Sequence, residues 1–130
     1  MIVVDASVIA PALADDGDSG DRARRRLRGE RLCAPEILDL EVMSVLRQLL
    51  GAGNLDARRA AQALDDLMDL DLRRIGHRAL LRRAWELRHT ITPYDAAYVA
   101  LAEAIGAVLI TADRRLATAP GPRCTIEVVP

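Results

Sequence analysis

The chain has 130 residues, 51% of them hydrophobic and 28% charged, with a formal net charge of −1. This is an ordinary soluble globular mix, long enough for one domain (residues 1–130) to bury a core, and its charge balance singles out no partner. No apolar run nears the ~20 residues of a membrane span, and the start lacks the basic-then-apolar pattern of a signal peptide; the cytoplasm is the expected compartment, with no membrane partner.

Taken in order, short apolar runs alternate with helical patterns. Ile2–Asp5 reads as a buried strand that ends on a carboxylate. Val8–Leu13 reads as a short helix, and Ser19–Arg28 as a polar one capped by Asp18 or Ser19. Arg31–Ala34 is a second strand, stopped by Pro35. From Glu36 to Leu50, apolar residues at 38, 42, 45, 46 and 49 make one helical stripe, closed by Gly51 and Gly53. Asp56 caps a helix running to about Leu70, Asp71–Ile75 is a weak strand, and Ala79–Arg88 is helical. Thr92, Pro93 and Gly106 mark the cap, first turn and stop of a further helix. Ala107–Thr111 is the clearest buried strand and Thr125–Val129 the last. This alternation predicts an α/β sandwich with a mainly parallel sheet between helical layers. In such sheets sites form beyond the carboxyl ends of the strands. Asp5 and Asp113 fall there, and share one edge if their strands are neighbours.

All 18 basic residues are arginine, whose planar fork pairs bidentately with phosphate and carboxylate. Five crowd the segment RARRRLR, in which Arg22, Arg24, Arg25 and Arg26 are candidates for phosphate contact; the plainer reading is a solvated helix face. Cys33 and Cys124 lack zinc spacing and read as small buried apolar residues that stay reduced. His77 and His89 fall in no motif and read as surface or capping residues. Trp85, Tyr94 and Tyr98 are too few to stack successive bases. No GxxxxGK[ST] occurs, so a P-loop is unsupported.

Four acids need weighing: Asp5, Glu41, Asp95 and Asp113. Singly, each has a plain explanation. Asp5 and Asp113 can cap the helices that follow them, and Glu41 can pair with an arginine. Asp95 holds the return position of a capping box begun by Thr92. Together they are harder to dismiss, because each lies at a strand end or in the first two turns of a helix. Carboxylates gathered in one pocket repel one another unless a cation is bound. All-oxygen ligands suit Mg²⁺ or Mn²⁺ rather than zinc. Such ions activate water and stabilise phosphoryl displacement. Ser7 and Thr111 can place hydroxyls near by.

The segments VVDASV, EVMSVL, TPYDAAYVALA and LITADRRLA resemble, in order and spacing, the successive motifs of PIN-domain nucleases. They are most similar to the small VapC-type toxins of bacterial toxin–antitoxin pairs, over nearly the whole chain. The resemblance implies a PIN-like three-layer sandwich and an Mg²⁺- or Mn²⁺-dependent endoribonuclease. Carried over, Asp5, Glu41, Asp95 and Asp113 are the catalytic carboxylates. Asp5, Asp95 and Asp113 hold metal, and Ser7 and Thr111 are accessory hydroxyls. Ser44 stands where the family often has asparagine. Asp39 is a competing acid in the helix of Glu41, but the pattern selects Glu41. The resemblance also implies a small antitoxin partner and a homodimer formed through the later helices. Ile9, Leu13, Met43 and Leu50 are expected to line a groove for the antitoxin. Two other readings stay open. A receiver-like phosphate-signalling module would need a lysine that the chain lacks, and an inactive PIN scaffold sits poorly with all four acids being present.

Overall fold

Five short strands make one sheet in the computed structural model, which describes residues 1–130. In chain order they are β1 (Ile2–Val4), β2 (Leu32–Pro35), β3 (Leu72–Ile75), β4 (Leu109–Thr111) and β5 (Ile126–Val128). In space they run β3-β2-β1-β4-β5, and every pairing is parallel. Parallel neighbours need crossovers, which helices supply. α1 (Ala6–Ala14) and α2 (Asp18–Leu27) join β1 to β2, and α3 (Ile37–Gly51) and α4 (Ala57–Asp69) join β2 to β3. α5 (Leu81–Glu86) and α6 (Pro93–Ile105) return to β4, and α7 (Arg114–Thr118) leads to β5. The chain thus builds outward from β1 on one side, crosses back, and builds outward from β4 on the other. Right-handed crossovers then put α1–α4 on one face and α5–α7 on the other, the three-layer sandwich expected. Between β1 and β4 the winding reverses, and a crevice opens at the carboxyl ends of those two strands.

Burial explains the strand sequences. β1, β2 and β4 are covered on both faces and are buried at every residue, so their runs are nearly continuous in apolar side chains. The edge strands β3 and β5 turn Arg73 and Glu127 to solvent, which blunts them against stray pairing. α6 buries every residue from Ala96 to Ala102, and its alanines let it lie close over β1 and β2.

Element ends differ from the sequence expectation for identifiable reasons. α2 is capped by Gly17, without a side-chain bond, rather than by Asp18 or Ser19. β4 starts at Leu109 instead of Ala107, because α6 uses two more residues to stop. Gly106 takes φ 66° and Ala107 N–H donates to Ala102 O at 2.9 Å. The single helix expected over Ala79–Arg88 begins as a 3-10 turn, Arg78–Leu80, and its first turns have no side-chain cap. Of the two thiols Cys33 is buried, whereas Cys124 is only half-buried; both are free.

Candidate active site

Asp5 follows the last residue of β1 and caps α1. Its Oδ1 accepts from Ser7 N–H at 2.9 Å and from the Ser7 hydroxyl, and its Oδ2 accepts from the Thr111 hydroxyl at 2.5 Å. Each hydroxyl in turn accepts a main-chain N–H from the loop after β4. Ala112 donates to Ser7 Oγ at 2.8 Å, and Asp113 donates to Thr111 Oγ1 at 3.0 Å. A hydroxyl has one proton, and both protons are committed to Asp5. The 3.4 Å approach of Ser7 Oγ to Thr111 Oγ1 is therefore a contact rather than a bond. This double relay ties the ends of β1 and β4 together. The register agrees, with Val4 beside Ile110 and Asp5 N–H donating to Ile110 O at 3.1 Å.

The other three acids come from different elements. Asp113 is exposed and caps α7, accepting from Arg115 N–H at 2.9 Å. Asp95 lies in the first turn of α6, where its N–H donates to the Thr92 hydroxyl at 3.2 Å. The other half of a capping box, from Thr92 N–H back to the Asp95 carboxylate, does not form, and the Thr92 hydroxyl only weakly lowers this carboxyl against its burial and the charge of Asp113. Glu41 is half-buried on α3, and its Oε1 accepts from the Tyr98 hydroxyl at 2.7 Å. Tyr98 is 1% exposed. It is a site residue that sequence reasoning missed, although it lies three residues after Asp95, the spacing that puts two side chains on one helical face.

The electrostatics join these groups. Burial pushes Asp5 up to about 6, against the lowering effect of its two hydroxyl donors, and the charge of Asp95 adds to the rise. Burial raises Glu41, partly countered by Tyr98, and Asp95 again adds to it. Asp95 is itself raised by burial and then by the charge of Asp113. The field of Asp95 therefore reaches Asp5 and Glu41, and it feels Asp113. All four acids share one neighbourhood at the sheet's winding reversal.

No arginine answers them. Five of the 18 arginines form seven ion pairs, with Asp16, Asp21, Glu30, Asp39, Glu86, Glu103 and Glu127, and none with the four acids of the crevice. Asp39, the competing acid on α3, is taken by Arg74 in a bidentate pair at 2.8 and 3.0 Å. Four carboxylates left without an arginine partner in so arginine-rich a chain are an all-oxygen donor set of the chemistry that could hold a hard divalent ion. No three acidic side chains close around a single point in this arrangement.

Of the arginine candidates, Arg24 donates to the carbonyls of Ala12 and Asp15 and pairs with Asp21, and Arg26 holds Glu127 and Glu30. Arg22 donates to Pro130 O and Ser19 Oγ, and Arg25 is exposed without a protein partner. Half of the cluster is thus structural. Of the residues expected to line a groove, Met43 and Leu50 are exposed, Leu13 is half-buried, and Ile9, at 1% exposure, belongs to the core.

A family model described as the PIN domain matches residues 2–122. The chain belongs to the PIN-domain family. Within it, this PIN domain is 42% identical over 130 residues to ribonuclease VapC9 of Mycobacterium tuberculosis, covering 100% of this chain and 99% of that protein. It is 42% identical to ribonuclease VapC1 of the same organism over 98% of this chain and 96% of that one. Among solved structures it resembles PAE2754 from Pyrobaculum aerophilum, with a TM-score of 0.70 and 26% identity over 98% of this chain and 83% of the other. The fold is also shared with VapC20 of M. tuberculosis, described as a sarcin-ricin loop cleaving toxin, at a TM-score of 0.70 and 20% identity over 89% of this chain and 92% of that one.

Proposed function

We propose that this PIN domain is a VapC-type toxin, an endoribonuclease that cuts RNA with a divalent metal, Mg²⁺ or Mn²⁺, held by Asp5, Asp95 and Asp113. The observation that carries the reading is the set of four carboxylates at the winding reversal, unpaired in a chain whose arginines neutralise seven other acids. The names of its full-length relatives, ribonucleases of VapC type, supply the substrate class. When bound, the ion supplies charge neutralisation to the phosphate and acidity to water. Asp5 supplies a rigid oxygen, because its relay through Ser7 and Thr111 permits one rotamer. Asp95 and Asp113, not bound into such a relay, supply donors that adjust. Glu41, raised by burial, takes the proton of the attacking water as the new P–O bond forms and the old one breaks. A carboxylate raised toward the working pH is the stronger base, and Tyr98 aims it.

The test is cleavage of purified RNA with Mg²⁺, with Mn²⁺ and with chelator, against Asp5→Asn and Asp95→Asn. Activity should need the metal and fall by at least two orders of magnitude in either variant, the scale of a lost electrostatic contributor. Full activity in chelator, or in both variants, would sink the reading. The same reading includes a small antitoxin and self-association through the later helices. VapC relatives and toxin–antitoxin neighbours from Klebsiella pneumoniae and Salmonella typhimurium support the antitoxin. Copurification with the product of the adjacent small reading frame checks it.

A further inference from the structure

The crevice has a continuation. A cavity of about 340 Å³ begins at Ser7, which donates to Asp5, and at Ala112, which donates to Ser7, passes Arg114, and reaches Ser19 on α2 and Val129–Pro130 at the end of β5. Val129 and Pro130 also line a second hollow, with Arg22, Arg25 and Arg26. The two hollows share Val129 and Pro130 and together mark a track from Ser7, the hydrogen-bond partner of Asp5, to the arginine-rich face of α2.

The charges along the track are of two kinds. Arg26 is neutralised bidentately by Glu127 and again by Glu30, so it closes the far wall. Arg114 and Arg25 are exposed and pair with no acid. A polyanion approaching four carboxylates is repelled, so its affinity must come from cations placed beside them and free to bind. Arg114, next in sequence to Asp113, meets that condition, and Arg25 is the free cation at the far end of the track. Between them the cavity is walled by Val8 and Pro11 and edged by the Ser19 hydroxyl. That is a partly apolar, partly polar slot of a kind that takes a planar base.

We propose that this track binds the RNA strand flanking the cut, with Arg114 and Arg25 each contacting a backbone phosphate and the cavity between them holding a base. The inference rests on the ribonuclease reading. It assigns Arg114, and it narrows the α2 cluster to Arg25, with Arg22 in support.

The test measures binding of a fluorescein-labelled, mixed-sequence single-stranded RNA by anisotropy, in chelator, across a salt series. Arg25→Gln and Arg114→Gln should each weaken binding several-fold and lower the salt slope by about 0.7, the value for one phosphate contact on a single strand. Arg114→Lys should restore the slope, and Arg26→Gln should leave it at the wild-type value. Ser19→Trp should fill the cavity and weaken binding without changing the slope. Urea midpoints establish that each variant is folded. Wild-type affinity and slope in both Arg25→Gln and Arg114→Gln overturn the proposal, and the ribonuclease reading survives if those proteins still cut RNA. Loss of antitoxin capture with RNA binding intact also overturns it, since the track would then serve a protein. A wild-type chain that neither binds nor cuts RNA removes both.

Discussion

Asp5 retains 6% of its surface exposure, caps a helix, and accepts two hydroxyl donors. Even so, burial leaves its carboxyl at about 6. The folded chain therefore binds this proton more tightly than the unfolded one does. The stability so gained is whole below the ordinary value of 3.8 and is lost as pH rises through about 6. Glu41 and Asp95, also raised, act in the same direction. The unfolding free energy from urea titrations in chelator should fall across that window by on the order of 3 kcal/mol for the Asp5 share, and Asp5→Asn should flatten the fall. At neutral pH without metal the variant should melt at or above the wild-type temperature. Tyr98 offers a second test. Burial, and then the Glu41 carboxylate, hold its hydroxyl protonated far above the usual tyrosine range, so it remains a donor wherever Glu41 is ionised. Tyr98→Phe removes one bond at a cost of about 1 kcal/mol. It should slow RNA cleavage by releasing Glu41, by less than the roughly 10²–10⁴-fold of a lost general base, while leaving RNA affinity unchanged.

At the scale of elements, α2 shows how backbone fit places a surface. A side chain at Gly20 would bring its Cβ to 1.8 Å from the Asp15 carbonyl oxygen. Helix and loop therefore pack main chain to main chain, and Arg24 clamps the same carbonyl at 2.8 Å. Gly20→Ala must push α2 away. It should lower stability by roughly 1–3 kcal/mol, as overpacking does, seen as a lower urea midpoint. Because α2 carries Arg22 and Arg25, the same change should weaken RNA binding. Alanine at an open helical site would instead stabilise, so an unchanged or higher midpoint would contradict the packing described. α6 is the converse case. Its start, body and stop were legible because Thr92, Pro93 and Gly106 signal through local backbone chemistry. α7 has only five residues, too few for a periodic pattern.

For the molecule as a whole, strand order has a chemical consequence. Cys33 lies on β2 and Cys124 just before β5, with β1 and β4 between them. Strands about 4.8 Å apart put the two more than ~10 Å from each other, beyond the ~7 Å reach of a disulfide. Mass spectrometry after denaturing alkylation should find both thiols free, and an intramolecular bridge would contradict the order β3-β2-β1-β4-β5. The reversal in that order is also what brings Asp5 and Asp113 to one crevice. No helix of the molecule is long and apolar enough to cross a membrane.

Sequence alone determined the alternation of strands and helices and the parallel sheet, because burial periodicity, caps and strand ends are properties of neighbours along the chain; the four acids were singled out with the help of the resemblance to PIN-domain nucleases. Only the tertiary structure decided which arginines are occupied. Arg24 and Arg26 meet carbonyls and a carboxylate from other elements, with Glu127 being 101 residues away from Arg26, and no local pattern encodes such a pairing. The partner of Glu41 was hidden for the same reason. Tyr98 is 57 residues distant, and its hydroxyl reaches α3 only because the alanine face of α6 lets that helix settle close over β1 and β2. Local chemistry chooses which groups can react. Packing between distant segments chooses which of them remain free to do so.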